Sequence, residues 1–166
     1  MATPTSFDPQ QFLQAQVSEV NEKRAPLPTE NPASPDGLYT AVIGDIKMES
    51  GTIEKGDRAG RPWLAAVIPL KIEVPQQLQD GLKLPPVLQL TDRAFIDLTD
   101  QNTIDNAPGR NRRQKEYREA LDLNKPGDIW SWSKANGQVV KLKHAQKMYN
   151  GEILDDVQNA RLLRRS

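Results

Sequence analysis

The stretch Trp63-Leu-Ala-Ala-Val-Ile-Pro-Leu-Lys-Ile-Glu-Val74 reads as a β-strand, because it is rich in β-branched and other apolar residues. Its part over residues 63–70 is the longest apolar run of the chain, and a membrane-spanning helix needs about 20 such residues. Proline cannot donate a backbone hydrogen bond to a neighbouring strand, so Pro69 predicts a sheet edge or a bulge. We therefore expect a strand over residues 63–74 and no membrane partner.

Strand patterns also flank this segment along the chain. Residues 38–48 alternate between the two faces of a strand, and residues 87–99 form a third strand with a bend expected at Asp92-Arg93. A Gly-rich, charged loop over residues 51–62 joins the first two strands. In an OB barrel, the loop at this place flanks the ligand groove.

A helix and a meander follow the first three strands. Residues 111–123 place Tyr117, Ala120 and Leu121 on one helical face. The later strands are predicted over residues 129–133, 139–148 and 153–162, with turns at Asn136-Gly137 and Asn150-Gly151. This order predicts a mainly β fold, an OB-like barrel of five to six strands with one helix between strands 3 and 4. A jelly roll or another sandwich is compatible with the same pattern.

Residues 1–37 are predicted to form a helical arm and a Pro-rich linker outside the barrel. Asp8 suits a helix N-cap and Pro9 the first helical position. Four apolar residues then share one stripe, which predicts contact with a second copy or with the barrel: Phe12, Leu13, Val17 and Val20. The prolines of residues 25–37 indicate an extended linker rather than core. The OB-like barrel is expected over residues 38–163 and a basic tail over residues 164–166.

The charge of the chain is zero overall but unevenly distributed. There are 22 Lys and Arg residues and 22 Asp and Glu residues. Residues 1–37 carry five acids and two bases, residues 38–106 ten acids and seven bases, and residues 107–166 seven acids and thirteen bases. The segment charges are therefore −3, −3 and +6. A basic C-terminal third points to a polyanionic partner, which the overall charge would argue against.

Five bases fall within nine residues of the predicted helix. Such side chains neutralise phosphates and release counterions, which gives affinity without sequence preference. The set is Arg110, Arg112, Arg113, Lys115 and Arg118, and Lys141 and Lys143 on a later strand extend it. The alternative is a solvated helix face, because Glu116 and Glu119 can pair with these bases.

Trp130 and Trp132 are two residues apart in a predicted strand, so both point to the same side. Single-stranded nucleic acids bind to exposed aromatic rings beside basic grooves. The alternative is that at least one of these indoles fills the core, because the chain has only nine aromatic residues. Tyr39, Trp63 and Phe95 are expected in the core.

Catalytic motifs are absent from the sequence, which contains no phosphate-binding loop, nucleophile elbow or His-Glu-x-x-His. The chain has no cysteine, and its single histidine, His144, is predicted to be an ordinary strand residue. Four acids could bind a hard cation but are better explained as strand-end and loop-capping residues: Asp92, Asp97, Asp100 and Asp105. We therefore expect no enzymatic activity, no cofactor and no metal site.

Several short motifs resemble one group of small tailed-phage proteins. They cover most of the chain from Phe7 onward: residues 7–13 (FDPQQFL), 36–41 (DGLYTA), 96–99 (IDLT), 109–111 (GRN), 118–121 (REAL), 123–124 (LN) and 126–127 (PG). The layout of these proteins is similar to that of phage single-stranded DNA-binding proteins with an OB fold. The resemblance implies a role in replication or recombination. Many such proteins end in an acidic tail that recruits partners, whereas this chain ends in the basic residues 161–166.

The sequence therefore predicts a phage protein that binds single-stranded DNA without sequence preference in the host cytoplasm. The predicted contacts are Arg110, Arg112, Arg113, Lys115, Arg118, Lys141 and Lys143, with Trp130 or Trp132 stacking on bases. The alternative is a virion structural protein, a capsid-stabilising or decoration subunit that holds its neighbours with the N-terminal arm. The charge-neutral, β-rich character of the chain fits this alternative as well.

Overall fold

The computed structural model describes Gln10 and residues 23–165 of the chain. Its strands are β1 (Tyr39–Ile43), β2 (Lys47–Thr52), β3 (Pro62–Glu73), β4 (Val87–Phe95), β5 (Val139–Lys143), β6 (Gln146–Tyr149), β7 (Glu152–Asp155) and β8 (Arg161–Leu163). Its helices are α1 (Gln76–Leu82) and α2 (Arg112–Ala120), and 3-10 turns lie at Trp132–Ala135 and Val157–Asn159. The prediction of a mainly β fold is confirmed.

Six strands form one antiparallel sheet around β3. Strand β4 pairs with β3 along one edge, and β2 and β1 follow each other along the opposite edge. The sheet continues from β1 to β5 and from β5 to β8. Strands β6 and β7 form a separate two-stranded hairpin. The described part of the chain therefore has β4 and β8 at the two ends of the sheet order.

Pro69 lies in the middle of the sheet, so of the two predicted positions the edge is wrong, whereas the neighbouring strands have one extra residue opposite it, three (44–46) against two (68–69). The adjoining β1 and β2 are interrupted at residues 44–46, where the Gly44 N–H donates to the Pro69 carbonyl over 2.8 Å. The N–H and carbonyl of a strand residue point to the same side, so the missing N–H of Pro69 faces this interruption. Proline is tolerated here because the neighbouring strand breaks.

The core lies between the inner face of this sheet and α2. Every second residue of β4 is buried, as are Tyr117 and Ala120 on the helix. The predicted helix is therefore confirmed, although it ends at Ala120. No bend occurs at Asp92-Arg93, because β4 runs through both residues and directs the Asp92 side chain inward. Helix α1 was not predicted.

The second half departs most from the predicted strands. Residues 129–133 are not a strand, because the chain enters the 3-10 turn at Trp132–Ala135, and Asn136-Gly137 therefore joins a turn to β5. The predicted strands over 139–148 and 153–162 are each divided by a break in pairing. Asn150-Gly151 is confirmed as a hairpin turn, with φ of 49° and 78° between β6 and β7.

Leu27 belongs to the core, so the prediction of a linker outside the core is wrong at this residue. Its side chain is fully buried. Its N–H donates to the Asp155 Oδ1 over 2.9 Å, and its carbonyl accepts from the Gln146 side chain over 2.9 Å. The Tyr39 hydroxyl donates to the Pro28 carbonyl over 2.7 Å. The buried Leu27 side chain and these hydrogen bonds hold the proline-flanked segment against the protein.

Apart from Gln10, the predicted arm helix lies outside the described residues, and so do Phe12, Leu13, Val17 and Val20. Among the helices that the structure describes, none has the length and apolar character needed to cross a membrane.

Candidate nucleic-acid interface

Arg113 is a structural residue rather than a phosphate contact, which corrects the prediction. Its side chain is only 14% exposed, and its Nε and the Tyr117 hydroxyl both donate to Oδ2 of the fully buried Asp92, over 2.8 and 2.7 Å. Its other guanidinium nitrogens bind the Glu116 carboxylate and two backbone carbonyls near β8. These four bonds engage four of the five N–H groups of the guanidinium.

The charge network around Arg113 ties α2 to the sheet. Burial acts to lower the pKa of Arg113, but Asp92, Tyr117 and Glu116 outweigh it and raise that pKa. Burial and the Asp92 carboxylate raise the pKa of the Tyr117 hydroxyl far above its ordinary value. Arg113 therefore stays charged and Tyr117 neutral.

Five other predicted residues are brought together around α2, and we call them the helix groove: Arg110, Lys115, Arg118, Trp130 and Trp132. Two adjoining cavities form this groove. One, of about 370 Å³, is lined by Arg110, Lys115 and Arg118. The other, of about 510 Å³, is lined by Arg118, Trp130 and Trp132. The structure thus brings these basic and aromatic side chains to two adjoining cavities.

Arg118 of the helix groove is half-buried, and its Nε donates to the Leu123 carbonyl over 3.0 Å, whereas Arg110 and Lys115 have only weak local partners. The Arg110 Nε is 3.5 Å from an Asp105 oxygen, and the Lys115 Nζ is 3.8 Å from a Glu119 oxygen. Exposed ion pairs of this kind contribute little free energy, so a phosphate can replace the carboxylate. Arg112, in the first turn of α2, is exposed, and its Nε donates to the Gly109 carbonyl over 3.3 Å.

Trp130 and Trp132 are half-buried side chains that pack against the core and against each other. Their ring centroids are 5.4 Å apart, and the Trp132 ring is also 5.4 Å from the Tyr117 ring. Both indole N–H groups are buried without a hydrogen-bond partner in the protein. The predicted alternatives of core and surface are therefore both partly met, because each indole contacts the core and lines the groove.

Lys141 and Lys143 lie on a different surface from the helix groove. They occupy the outer face of β5, while Val140 and Leu142 between them point into the core. The Lys141 Nζ donates to the Thr40 hydroxyl on β1 over 3.3 Å. Helix α2 packs instead against β4 and β8, so the predicted extension of the helical patch to these lysines is not formed.

A second surface, which the sequence analysis missed, lies on the outer side of β2, β3 and β4. Phe95 is 57% exposed there, and its ring centroid is 5.9 Å from that of the half-buried Trp63. The Trp63 indole lies directly over Gly51, where an added Cβ would stand 2.6 Å from the ring. The prediction that Phe95 and Trp63 are core is therefore wrong, because Phe95 is exposed and Trp63 is half-buried on this outer surface, whereas Tyr39 is fully buried as expected.

Basic side chains continue this surface beside the aromatic pair. Lys47 of β2 and Arg93 of β4 stand on either side of Val67 in the strand register, and exposed Lys71 lies further along β3. The Arg93 Nε is 3.4 Å from a Glu49 oxygen, in an exposed pair. We call this surface the sheet face, defined by Lys47, Trp63, Lys71, Arg93 and Phe95.

The position of Phe95 was available from the alternation of β4. If Leu88, Leu90 and Ala94 face inward, the odd-numbered residues of the strand face outward. Arginine at 93 and phenylalanine at 95 then fall on one exposed row. The sequence pattern was hard to see because Asp92 falls on the inward row of β4. A buried carboxylate is unusual unless a cation pairs with it, and here that cation comes from a distant part of the chain.

The four acids considered for a cation each have their own protein partners. Asp92 pairs with Arg113, Asp97 accepts from the Asn111 N–H over 2.7 Å, and Asp100 pairs with Arg61 over 3.0 Å. Asp105 accepts from the Ala107 N–H over 3.0 Å. Within residues 23–165 and Gln10, no cluster of three or more His, Asp or Glu residues is arranged to hold a metal ion.

His144 is buried directly after β5, so it is not the strand residue that was predicted, and it contacts the β6–β7 hairpin. Its Nε2 is 2.7 Å from the Asp155 Oδ1, and its ring meets the Tyr39 ring edge-on at 6.4 Å. The Arg24 Nη2 lies 2.7 Å from the other oxygen of Asp155. Together with the Leu27 bonds, these contacts give His144 a structural position.

Comparison with family models, with curated proteins and with solved structures finds no match to this chain. The function is therefore inferred from the geometry of the sheet face and the helix groove.

Proposed function

We propose that this protein binds single-stranded DNA without sequence preference through an OB-type barrel. Exposed aromatic rings beside basic side chains are what such binding requires, because bases stack on the rings and phosphates meet the cations. The sheet face combines both. The observation that carries the proposal is the exposed Phe95 ring against Trp63, next to Arg93 and Lys47.

The strand order supports the OB assignment. In terms of the five strands of an OB barrel, β1 and β2 together correspond to one bent first strand. Strands β3 and β4 correspond to the second and third, and β5 and β8 to the fourth and fifth. Helix α2 lies between the third and the fourth strand. The sheet order third, second, first, fourth, fifth is that of an OB barrel open between its third and fifth strands. In such barrels the face of strands 2 and 3 and the adjoining loops bind oligonucleotides.

The loop at the aromatic end of the sheet face adds further cations. Arg58 and Arg61, between β2 and β3, line a cavity of about 160 Å³ with Trp63 and Phe95. Arg61 is held by the Asp100 carboxylate and the Thr99 carbonyl, whereas Arg58 is exposed. Stacking and phosphate contacts do not distinguish between bases, which is the reason for proposing binding without sequence preference.

We further propose that the protein acts in the replication or recombination of a tailed phage, in the host cytoplasm. This part of the proposal derives from the sequence resemblance alone. The alternative role in the virion derives from the predicted arm, whose apolar stripe (Phe12, Leu13, Val17 and Val20) lies outside the described residues.

Fluorescence titration with oligo-dT tests the proposal. Binding should quench tryptophan fluorescence, because Trp63 lies on the sheet face. For labelled oligo-dT followed by anisotropy, Phe95→Ala should weaken binding about 5- to 150-fold, the range found for the loss of one stacking ring. Tyr149→Ala is the matched control, because Tyr149 is similarly exposed (62%) but lies on the β6–β7 hairpin.

The charged half of the site has its own test. Arg93→Ala should weaken binding to all sequences alike and reduce the slope of log affinity against log salt by about 0.7, the value for one phosphate contact on a single strand. Arg165→Ala removes an equal charge near the C-terminal end as a control. If the wild-type protein neither quenches nor shifts oligo-dT at low salt, the proposal is wrong. Copurification with capsids in fixed stoichiometry would support the virion role instead.

A further inference from the structure

We infer that the helix groove binds a second stretch of the same DNA strand that occupies the sheet face. This inference rests on the proposed function. It adds a binding site on the helix side of the protein, which the face of β3 and β4 alone does not include. Its basis is the way the cavities of the molecule adjoin.

Three cavities follow one another from the sheet face to α2. The cavity beside Trp63 and Phe95 and the larger cavity of the tryptophans are both lined by Leu64 and Ile96. The tryptophan cavity and the basic cavity of α2 are in turn both lined by Gln114 and Arg118. Leu64 and Ile96 therefore stand between the two aromatic cavities, and Gln114 and Arg118 stand between the tryptophan cavity and the bases of the helix.

The chemistry along this path suits a single strand. Arg58 lies at one end, and Arg110 and Lys115 lie at the other. The middle is apolar and aromatic, since Met48 and Ile104, each 49% exposed, line it together with Trp130 and Trp132. Phosphates require the cations, and unpaired bases favour the apolar and aromatic surface.

The carboxylates along the path have partners within the protein, either backbone N–H groups or a cation. Asp97 accepts from the Asn111 N–H, and Asp128 accepts from the Lys125 N–H, each over 2.7 Å. Asp105 lies beside Arg110. A strand that displaces the Asp105 contact would gain a phosphate contact with Arg110 in its place.

Affinity as a function of oligomer length tests the inference. We would measure binding of dT oligomers of about 4, 8, 12 and 16 nucleotides, which spans the site sizes of single OB domains. The double variant Arg110→Ala/Lys115→Ala should bind the shortest oligomer like the wild type. It should bind the longest oligomer about tenfold more weakly, with a salt slope smaller by about 1.4 because two phosphate contacts are lost.

The control is the double variant Lys147→Ala/Arg165→Ala, which removes the same charge from exposed positions outside the path. It should show no length-dependent loss. An equal loss at every length, or no loss at any length, would overturn the inference while leaving the proposed function intact. A change in self-association by sedimentation, with DNA binding unchanged, would assign the groove to a protein partner and also overturn it. If the wild type binds no oligomer, the proposed function itself fails.

Discussion

Asp155 joins three distant parts of the chain at one carboxylate. Its Oδ1 accepts from the Leu27 N–H and contacts the His144 Nε2, and its Oδ2 contacts the Arg24 guanidinium. Burial acts to raise the pKa of Asp155, but hydrogen bonds from His144, Leu27 and Arg24 outweigh it and hold that pKa below its usual value of 3.8. The ionised carboxylate therefore stabilises the folded protein.

This pKa shift predicts a loss of stability in acid. A carboxyl whose folded-state pKa is depressed stabilises the protein above its unfolded-state pKa, and the contribution is lost as the pH falls through the folded-state value. Asp155→Asn should lower the free energy of unfolding at neutral pH by about 1–3 kcal/mol, because a buried hydrogen-bonding charge is lost. It should also flatten the decline of that free energy in acid.

Urea unfolding at about pH 7, 5 and 3 measures both effects. Asp57→Asn, at an exposed position in the loop between β2 and β3, is the control and should follow the wild type. An Asp155→Asn variant that declines as steeply as the wild type below about pH 4 would contradict the linkage argument.

Arg113 shows which residue-level features the sequence could not supply. Its neighbours in the basic run, Arg110, Lys115 and Arg118, line a cavity beside α2. Its counter-ion Asp92, however, is 21 residues away on another element, so only the packing of α2 against β4 brings the two together. Composition and helical spacing carry no information about such a pairing.

At the level of elements, local patterns correctly predicted the strands in which buried and exposed residues alternate clearly. They failed where tertiary contacts, rather than the local pattern, determine the structure. Strands β1, β3 and β4 and helix α2 lie where the pattern placed them. Residues 129–133 alternate like a strand, but Trp130 and Trp132 instead pack against each other and the core through a 3-10 turn. Leu27 was assigned to a linker because its proline neighbours dominated the local pattern, although it fills the core.

The hairpin β6–β7 depends on the geometry of its turn, which gives an element-level prediction. Gly151 has a φ of 78°, a conformation that costs a residue with a Cβ about 1–2 kcal/mol. Gly151→Ala should therefore reduce the protection of β6 and β7 amides against hydrogen exchange by about 5- to 30-fold.

The same substitution at Gly81 should have the opposite effect. Gly81 lies within α1 and has open space around its Cα, so alanine should stabilise the helix by about 0.5–1 kcal/mol. If Gly151→Ala and Gly81→Ala changed amide protection in the same way, the backbone conformation of the glycine would not be the cause of either effect.

For the whole molecule, zero net charge and a local basic surface have different consequences for binding. Long-range attraction depends on the field of the entire protein, which nearly cancels here. Contacts with phosphates depend only on the cations that the strand touches, such as Arg93 and Lys47 on the sheet face. Salt should therefore act mainly on the bound complex rather than on the encounter.

This separation predicts how the rate constants for oligo-dT binding respond to salt. With about four phosphate contacts, affinity should fall about 50-fold between about 50 and 200 mM salt. The association rate constant should stay near 10⁵–10⁷ M⁻¹s⁻¹ and change less than about threefold, so that dissociation carries the effect. Stopped-flow fluorescence measures both constants.

Glu152→Gln, on the β6–β7 hairpin, changes the net charge to +1 and should leave the dissociation rate unchanged. An association rate that falls in proportion to affinity would mean that the whole-molecule field does steer the strand.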